Sequence, residues 1–276
     1  PAARRGGGRA RGLTVRRSAS AGSGPGRLRL PGPVRGLLGV LRSLGIYYRP
    51  HRRGALDRMH ARFAGRGDLV FDIGAHVGDR VASFRRLGMR VVAVEPQPLL
   101  AHLLRLLYGR DGQVSVVQAA VGAAPGTATM HLNLDNPTIS TASPDFIRAA
   151  AGAPSWQGQR WEQRLQVPVT TLDALIQRFG APRFVKIDVE GYEDQVLRGL
   201  SQAPPAFSFE FTTIQRPVAR AALLECQRLG AYRFNAALGE SQHLLHTAWT
   251  NADGIRAWLD ALPAQANSGD IYALRG

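Results

Sequence analysis

The sequence predicts an α/β domain built on a mostly parallel sheet with helices on both of its faces. Three observations predict it. From Asp68 onward, short runs rich in β-branched residues alternate with stretches of helical period. The runs are apolar nearly throughout, the pattern of strands covered on both sides rather than on one. Glycines stand directly after helical stretches, at Gly88, Gly180 and Gly230, where a chain must leave the helix and turn back.

The predicted strands occupy residues 69–73, 91–95, 114–121, 184–189, 206–211, 232–238 and 271–274. Helical stretches lie between most of them, at residues 77–87, 98–108, 172–179, 194–200 and 218–229. Residues 126–168 break the rhythm. Two further strands are expected there, at 127–132 and 165–169, and the polar, Trp-bearing stretch between them is too long for a plain connection. It is expected to be a lid or a substrate-recognition insertion. Three units follow: a basic leader at 1–33, a helical segment at 34–66, and the main domain at 67–276.

Charge supports that division. The chain carries +15 overall, and residues 1–66 hold 16 arginines against the single acid Asp57. Residues 67–276 hold 19 basic and 19 acidic residues, so the folded part is neutral. Residues 1–33, rich in Gly, Arg and Pro, are expected to be disordered. Their charge permits unspecific contact with nucleic acid or with an anionic membrane surface, but arginine's GC-rich codons explain much of the bias without either. No apolar run approaches the ~18 residues of a membrane span, although Leu37, Leu38, Leu41 and Leu44 suit a helix lying on a surface. Cys226 is the only cysteine. It excludes an internal disulfide, reads as a small core residue, and suits a reducing, cytoplasmic setting.

The first chemical signal is Phe71-Asp72-Ile73-Gly74-Ala75-His76-Val77-Gly78-Asp79, directly after the first strand. In open parallel sheets ligands bind beyond the carboxyl ends of strands. The Gly-x-x-x-Gly spacing is not the Gly-x-Gly-x-x-Gly of dinucleotide sites. Asp72 would repel a pyrophosphate, but it would attract the ammonium and sulfonium of S-adenosylmethionine. A purely local role, capping the turn, is the plainer alternative. Glu95 ends the second strand 23 residues later, placed to accept both hydroxyls of a nucleoside ribose, and Pro96 starts the next helix. Ala120, near the end of the third run, leaves room for an adenine ring.

The second signal is Phe184-Val185-Lys186-Ile187-Asp188-Val189-Glu190-Gly191-Tyr192-Glu193. Strand alternation places Lys186, Asp188 and Glu190 on one side. Charges in a buried central strand are costly without a purpose. Lys186 is the only lysine in the chain. Asp188 and Glu190 are the candidate bases for a substrate hydroxyl, or aids in holding a divalent ion, with Lys186 beside them; the plainer reading is an ion pair between Lys186 and one of the acids. Glu210, Asn136 and Thr138 are candidate substrate contacts, with Ser140 near them. His76 is a cofactor-turn residue that could also be a base. His243 and His246 lack partners for a metal site, and no metal centre is predicted.

Together these blocks, with Val94-Glu95-Pro96-Gln97-Pro98, Gln118-Ala119-Ala120-Val121-Gly122 and Thr170-Thr171-Leu172-Asp173-Ala174-Leu175, resemble the FkbM methyltransferase family from about Asp68 to Leu200. The resemblance implies a Rossmann-like class I fold with a seven-stranded sheet, S-adenosylmethionine as donor, and O-methylation of a hydroxyl on a sugar, glycan or natural product. It maps the cofactor turn onto Asp72 through Gly78 (Gly74, Ala75 and His76 included), the ribose acid onto Glu95, and the Lys-Ile-Asp-x-Glu-Gly block onto Lys186 through Gly191. His76 departs from it, since the family frequently has Asn there. The rivals are an NAD-type oxidoreductase, disfavoured by the glycine spacing, and a nucleic-acid-binding protein acting through its leader. Methylation of nucleic-acid amines is not expected, because no Asn-Pro-Pro-Tyr-like block is present.

Overall fold

The computed structural model describes residues 31–276. The expected disorder of the leader falls almost wholly outside the described residues. Helix α1 (Gly32–Tyr47) starts on Pro33 in its first turn, where a missing N–H costs nothing, and α2 (Pro50–His60) starts on a proline likewise. The alternating part then runs β1 (Leu69–Ile73), α3 (Asp79–Arg86), β2 (Arg90–Val94), α4 (Pro98–Tyr108), β3 (Val114–Val117) and β4 (Ala120–Val121). It continues through β5 (Gly126–Leu132), α5 (Pro144–Ala151), β6 (Gln163–Thr170), α6 (Leu172–Phe179), β7 (Phe184–Ile187) and α7 (Glu193–Arg198). The remaining elements are β8 (Ala206–Thr212), α8 (Arg216–Leu229), β9 (Tyr232–Leu238), α9 (Ala252–Ala261) and β10 (Ser268–Arg275).

Seven strands form the main sheet in the order β3-β2-β1-β7-β8-β10-β9. The pairs along β3-β2-β1-β7-β8 are parallel, and β10 runs antiparallel to both β8 and β9. This is the Rossmann-like class I arrangement, with its order reversing between β1 and β7. Such a reversal opens a crevice at the strands' carboxyl ends.

The continuous apolar runs are explained by alternation. Phe71, Ile73, Val92, Val94, Val185 and Ile187 point into a core closed by α6, α7, α8 and α9. Val70, Val91, Ala93 and Phe184 point the other way, into a core closed by α2, α3 and α4. Cys226 is fully buried in the first core.

Two elements differ from the sequence reading. The single strand expected at 114–121 is split: β3 joins the main sheet, whereas β4 pairs parallel with β6 in a second sheet ordered β4-β6-β5. A two-residue break at Gln118 and Ala119 turns the chain out of one sheet into the other. Helix α9 had no expected counterpart, although Asn251 caps it by accepting from the Gly254 N–H at 2.9 Å, and Ile255 and Leu259 bury one face. Between β5 and β6, residues 133–162 hold α5 and a small core of Ile139, Phe146, Ala150 and Trp156. Thr141 ties this segment to the main domain by donating to the Glu190 carbonyl oxygen at 2.7 Å.

Candidate active site

A cleft of about 850 Å³ opens at the carboxyl ends of β1, β2, β7 and β8. The turn after β1 forms its floor. Gly74 and Gly78 hold φ of 84° and 81°, which a side chain would strain. Gly74 also has no room for one, because a Cβ there would lie 1.8 Å from the Asp188 carbonyl oxygen. The turn hangs on β2, with the Gly74 and Ala75 N–H groups donating to the Val94 carbonyl at 2.9 and 3.0 Å. From outside, Tyr48 and Tyr108 brace it by donating to the carbonyls of Val77 and Gly78, each at 3.0 Å.

Glu95 enters from the end of β2. Its two carboxylate oxygens accept the His76 and Gln97 N–H groups at 2.9 and 2.8 Å. A carboxylate offers about four acceptor positions, so two remain for ligand hydroxyls. Burial pushes its pKa up to about 7, against those two backbone donors. Asp72 lies behind the turn, wholly buried, and neither of its oxygens has a hydrogen-bond partner. Burial raises it to about 7, with Arg80 and Lys186 pulling the other way. An orphaned buried carboxyl is the counterpart that a cationic ligand requires, and Glu95 supplies acceptors for a ribose, so the residues present fit S-adenosylmethionine.

The second cluster converges from β7 and β8. The register pairs Ile187 with Phe209, which brings Asp188 alongside Glu210 one residue on. One carboxylate oxygen each from Asp188, Glu190 and Glu210 lie within 4.8 Å of one another. These oxygens are the donor set a divalent ion takes. Positive charge from the protein is nevertheless already there: Lys186 Nζ stands 3.3 Å from Asp188 and Arg80 Nη2 3.5 Å away. Burial alone would raise the Asp188 pKa, but Lys186 and Arg80, with a hydrogen bond from Glu210, bring it down to about 2.

The cleft wall includes Gly74, Ala75, His76, Glu95, Pro96, Ala120, Thr138, Asp188, Glu190 and Glu210, all singled out from sequence. Four other candidates are not on it. Asp72 sits beneath the turn, and Gly78 packs against Leu104 and Tyr108. Lys186 is buried in the sheet and donates to Asp270 at 2.7 Å as well as to Asp188. Asn136 is off the wall, and its backbone N–H donates to Asn133 Oδ1 at 2.9 Å.

His76 takes a φ of 48°, and burial lowers its pKa to about 4, so its imidazole is neutral at pH 7. Its Nε2 lies 3.4 Å from Thr138 Oγ1. His246 is flanked by Trp258, edge to face, rather than by acids.

Sequence reasoning missed Tyr47, Asp79, Arg80 and Glu240, all on the wall. Arg80 is the hub among them, 3.4 Å from Asp79 and 3.7 Å from Glu240, which Arg52 also holds at 2.7 Å. Two of these positions carried a signal. Arg80 opens the helix directly after the glycine turn, and Glu240 follows the carboxyl end of β9, places where an α/β sheet gathers its ligand contacts. Tyr47 carried none, because it arrives from a helix far upstream.

No curated protein sequence matches the chain. Among solved structures, a TehB-like SAM-dependent methyltransferase from Corynebacterium glutamicum is similar at 11% identity and a TM-score of 0.46, covering 88% of this chain and 100% of that one. Precorrin-6y C5,15-methyltransferase from Geobacter metallireducens gives 14% identity and 0.40, covering 82% and 86%. Fibrillarin from Aeropyrum pernix, with natively bound S-adenosyl-L-methionine, gives 10% and 0.41, covering 76% and 67%. The family model described as the methyltransferase FkbM domain matches residues 72–263, from the carboxylate beneath the glycine turn to the end of α9. The chain therefore belongs to the FkbM methyltransferase family, with S-adenosylmethionine as its cofactor.

Proposed function

We infer that this methyltransferase acts on a hydroxyl oxygen of a sugar, glycan or other polyhydroxylated natural product. One observation carries the reading: Asp188, Glu190 and Glu210 bring three carboxylates together in the cleft that also contains Glu95 and the glycine turn. Clustered carboxylates suit an acceptor that presents several hydroxyl donors. The proposed compartment is the cytoplasm; among the described residues no helix is long and apolar enough to cross a membrane.

When bound, the cofactor supplies an electrophilic methyl group on a sulfonium. Glu95 would hold the ribose and Asp72 would offset the positive charge. Asp188 and Glu190 would orient the acceptor hydroxyl, and one of them would take the proton that this oxygen gives up on methylation. Lys186 and Arg80 keep Asp188 ionised, so that it can accept a hydrogen bond from the acceptor hydroxyl. Tyr47, Thr138 and His76 wall the cleft and exclude water. Holding donor and acceptor in line supplies much of the acceleration.

The test is transfer of labelled methyl to a panel of hydroxylated glycans and natural products by the full chain. Asp188→Asn with Glu190→Gln should lower kcat by about 10²–10⁴-fold and leave cofactor affinity unchanged. Undiminished turnover in that double variant would remove both residues from the mechanism. Methylation of amines alone would overturn the acceptor class.

A further inference from the structure

Helix α1 is apolar on two sides: Val40, Leu44 and Tyr47 pack inward, and a second set of large apolar residues points outward. A helix covering a core turns its large apolar side chains inward and its small or polar ones outward. In α1 the buried positions are Gly36, Gly39, Val40 and Ser43. Gly39 sits so close that a Cβ there would lie 2.4 Å from the Leu134 carbonyl oxygen. The outward positions are Val34, Leu37, Leu38 and Leu41, exposed by 43%, 51%, 49% and 54%. Their spacing places them on one stripe.

Helix α4 also exposes Leu99, Leu106 and Leu107, by 43%, 71% and 50%. Leu99 joins the two helices, since a Cβ on Gly36 would meet its Cδ2 at 3.8 Å. Among the described residues, only Leu224 and Leu245 are comparably exposed large hydrophobics elsewhere. An exposed leucine stripe of this kind marks an interaction site.

Charge identifies the partner. Residues 1–47 hold ten arginines and no acid. A leucine stripe preceded in the chain by eight arginines and no acid, in residues 1–30, matches in composition a bilayer with acyl chains beneath anionic head groups. A second copy of this chain would set like charge against like. Residues 1–30 offer four large apolar side chains, Leu13, Val15, Leu28 and Leu30, among eight arginines, too few to cover the seven on the face.

We propose that the α1–α4 face seats this protein on the surface of an anionic lipid bilayer. The leucines enter the acyl boundary and the arginines of residues 1–30 contact the head groups. The docked helix is also a wall of the active site. Its last residue, Tyr47, lines the cleft, and its Arg35 is ion-paired with Asp135 and Glu162 of the inserted segment.

Flotation of the full chain tests this, using vesicles of phosphatidylcholine alone and of phosphatidylcholine with equal phosphatidylglycerol. The full chain should float with the anionic vesicles and not with the zwitterionic ones. Leu37→Ser with Leu41→Ser should keep its melting temperature and lose at least about tenfold in vesicle partitioning. Failure of the full chain to float would overturn the proposal. So would equal flotation of the double variant, which would assign the contact to the arginines alone. A dimer in sedimentation velocity that the double variant splits would give the face to a second copy instead.

Discussion

Single residues in this cleft trade stability for chemistry. Asp72 is wholly buried without a hydrogen-bond partner, and its pKa is raised to about 7. A carboxyl whose folded pKa exceeds its unfolded value costs no ionisation energy below the unfolded value of about 4. That cost grows as pH rises from there and is complete above the folded pKa. Asp72→Asn should therefore stabilise the cofactor-free protein at pH 8, on the order of 2–4 kcal/mol, with the gain vanishing near pH 4. Thermal melting across that range measures it; an unchanged difference between the two pH values would contradict the assignment. The same variant should lose the stabilisation that S-adenosylmethionine gives. Lys186 poses the opposite case, a buried cation between Asp188 and Asp270. Lys186→Met should cost about 3–5 kcal/mol by removing the ion pair that buried Asp270 makes with Lys186. Adding Asp270→Asn should recover part of that loss in chemical denaturation, and no recovery would show that the pair is not coupled. Both signal blocks were legible in the sequence, because charges inside apolar strands stand out. What was not legible is which charges face the cleft: Lys186 and Asp188 sit two residues apart, yet only Asp188 reaches the wall, because β7 ends at Ile187.

At the scale of elements, the turn joining β1 to α3 is the tightest junction in the site. Gly74 and Gly78 share a positive φ, but their surroundings differ. A methyl group on Gly74 meets backbone at 1.8 Å, whereas one on Gly78 meets the tip of Leu104 at 2.7 Å. Leu104 can move and the Asp188 carbonyl cannot. Gly74→Ala should cost at least about 3 kcal/mol and abolish cofactor binding, while Gly78→Ala should cost roughly 1–2 kcal/mol and retain it. Equal losses in a parallel melting and titration experiment would contradict the close approach of β1 and β7. Most strands and helices were readable because their period and their stops agree. The break between β3 and β4 was not: Val116-Val117-Gln118-Ala119-Ala120-Val121 reads as one apolar run, and only pairing with β6 pulls its end into another sheet. Helix α9 shows a related limit. Its cap and apolar face are ordinary, but no strand-and-helix rhythm surrounds it to announce it.

For the whole molecule, the reversal in strand order between β1 and β7 brings together what the sequence separates by more than a hundred residues. The turn after β1, Glu95 after β2, the acids after β7 and β8, and Glu240 after β9 all meet at one end of one sheet. That convergence follows from parallel strands, so the sequence pattern predicted it as soon as the strands were read as parallel. The contribution of α1 could not be read the same way. Its packing partner is the inserted segment and α4, and no local pattern names a partner.

Whether this convergence is a working S-adenosylmethionine site is decided by calorimetric titration of the full chain. Wild-type protein should bind S-adenosylmethionine saturably and leave NAD unbound. Glu95→Ala should weaken binding by about 10- to 100-fold through loss of charge-assisted hydrogen bonds to the ligand. Affinity unchanged by Glu95→Ala, or binding of NAD in place of S-adenosylmethionine, would contradict the account.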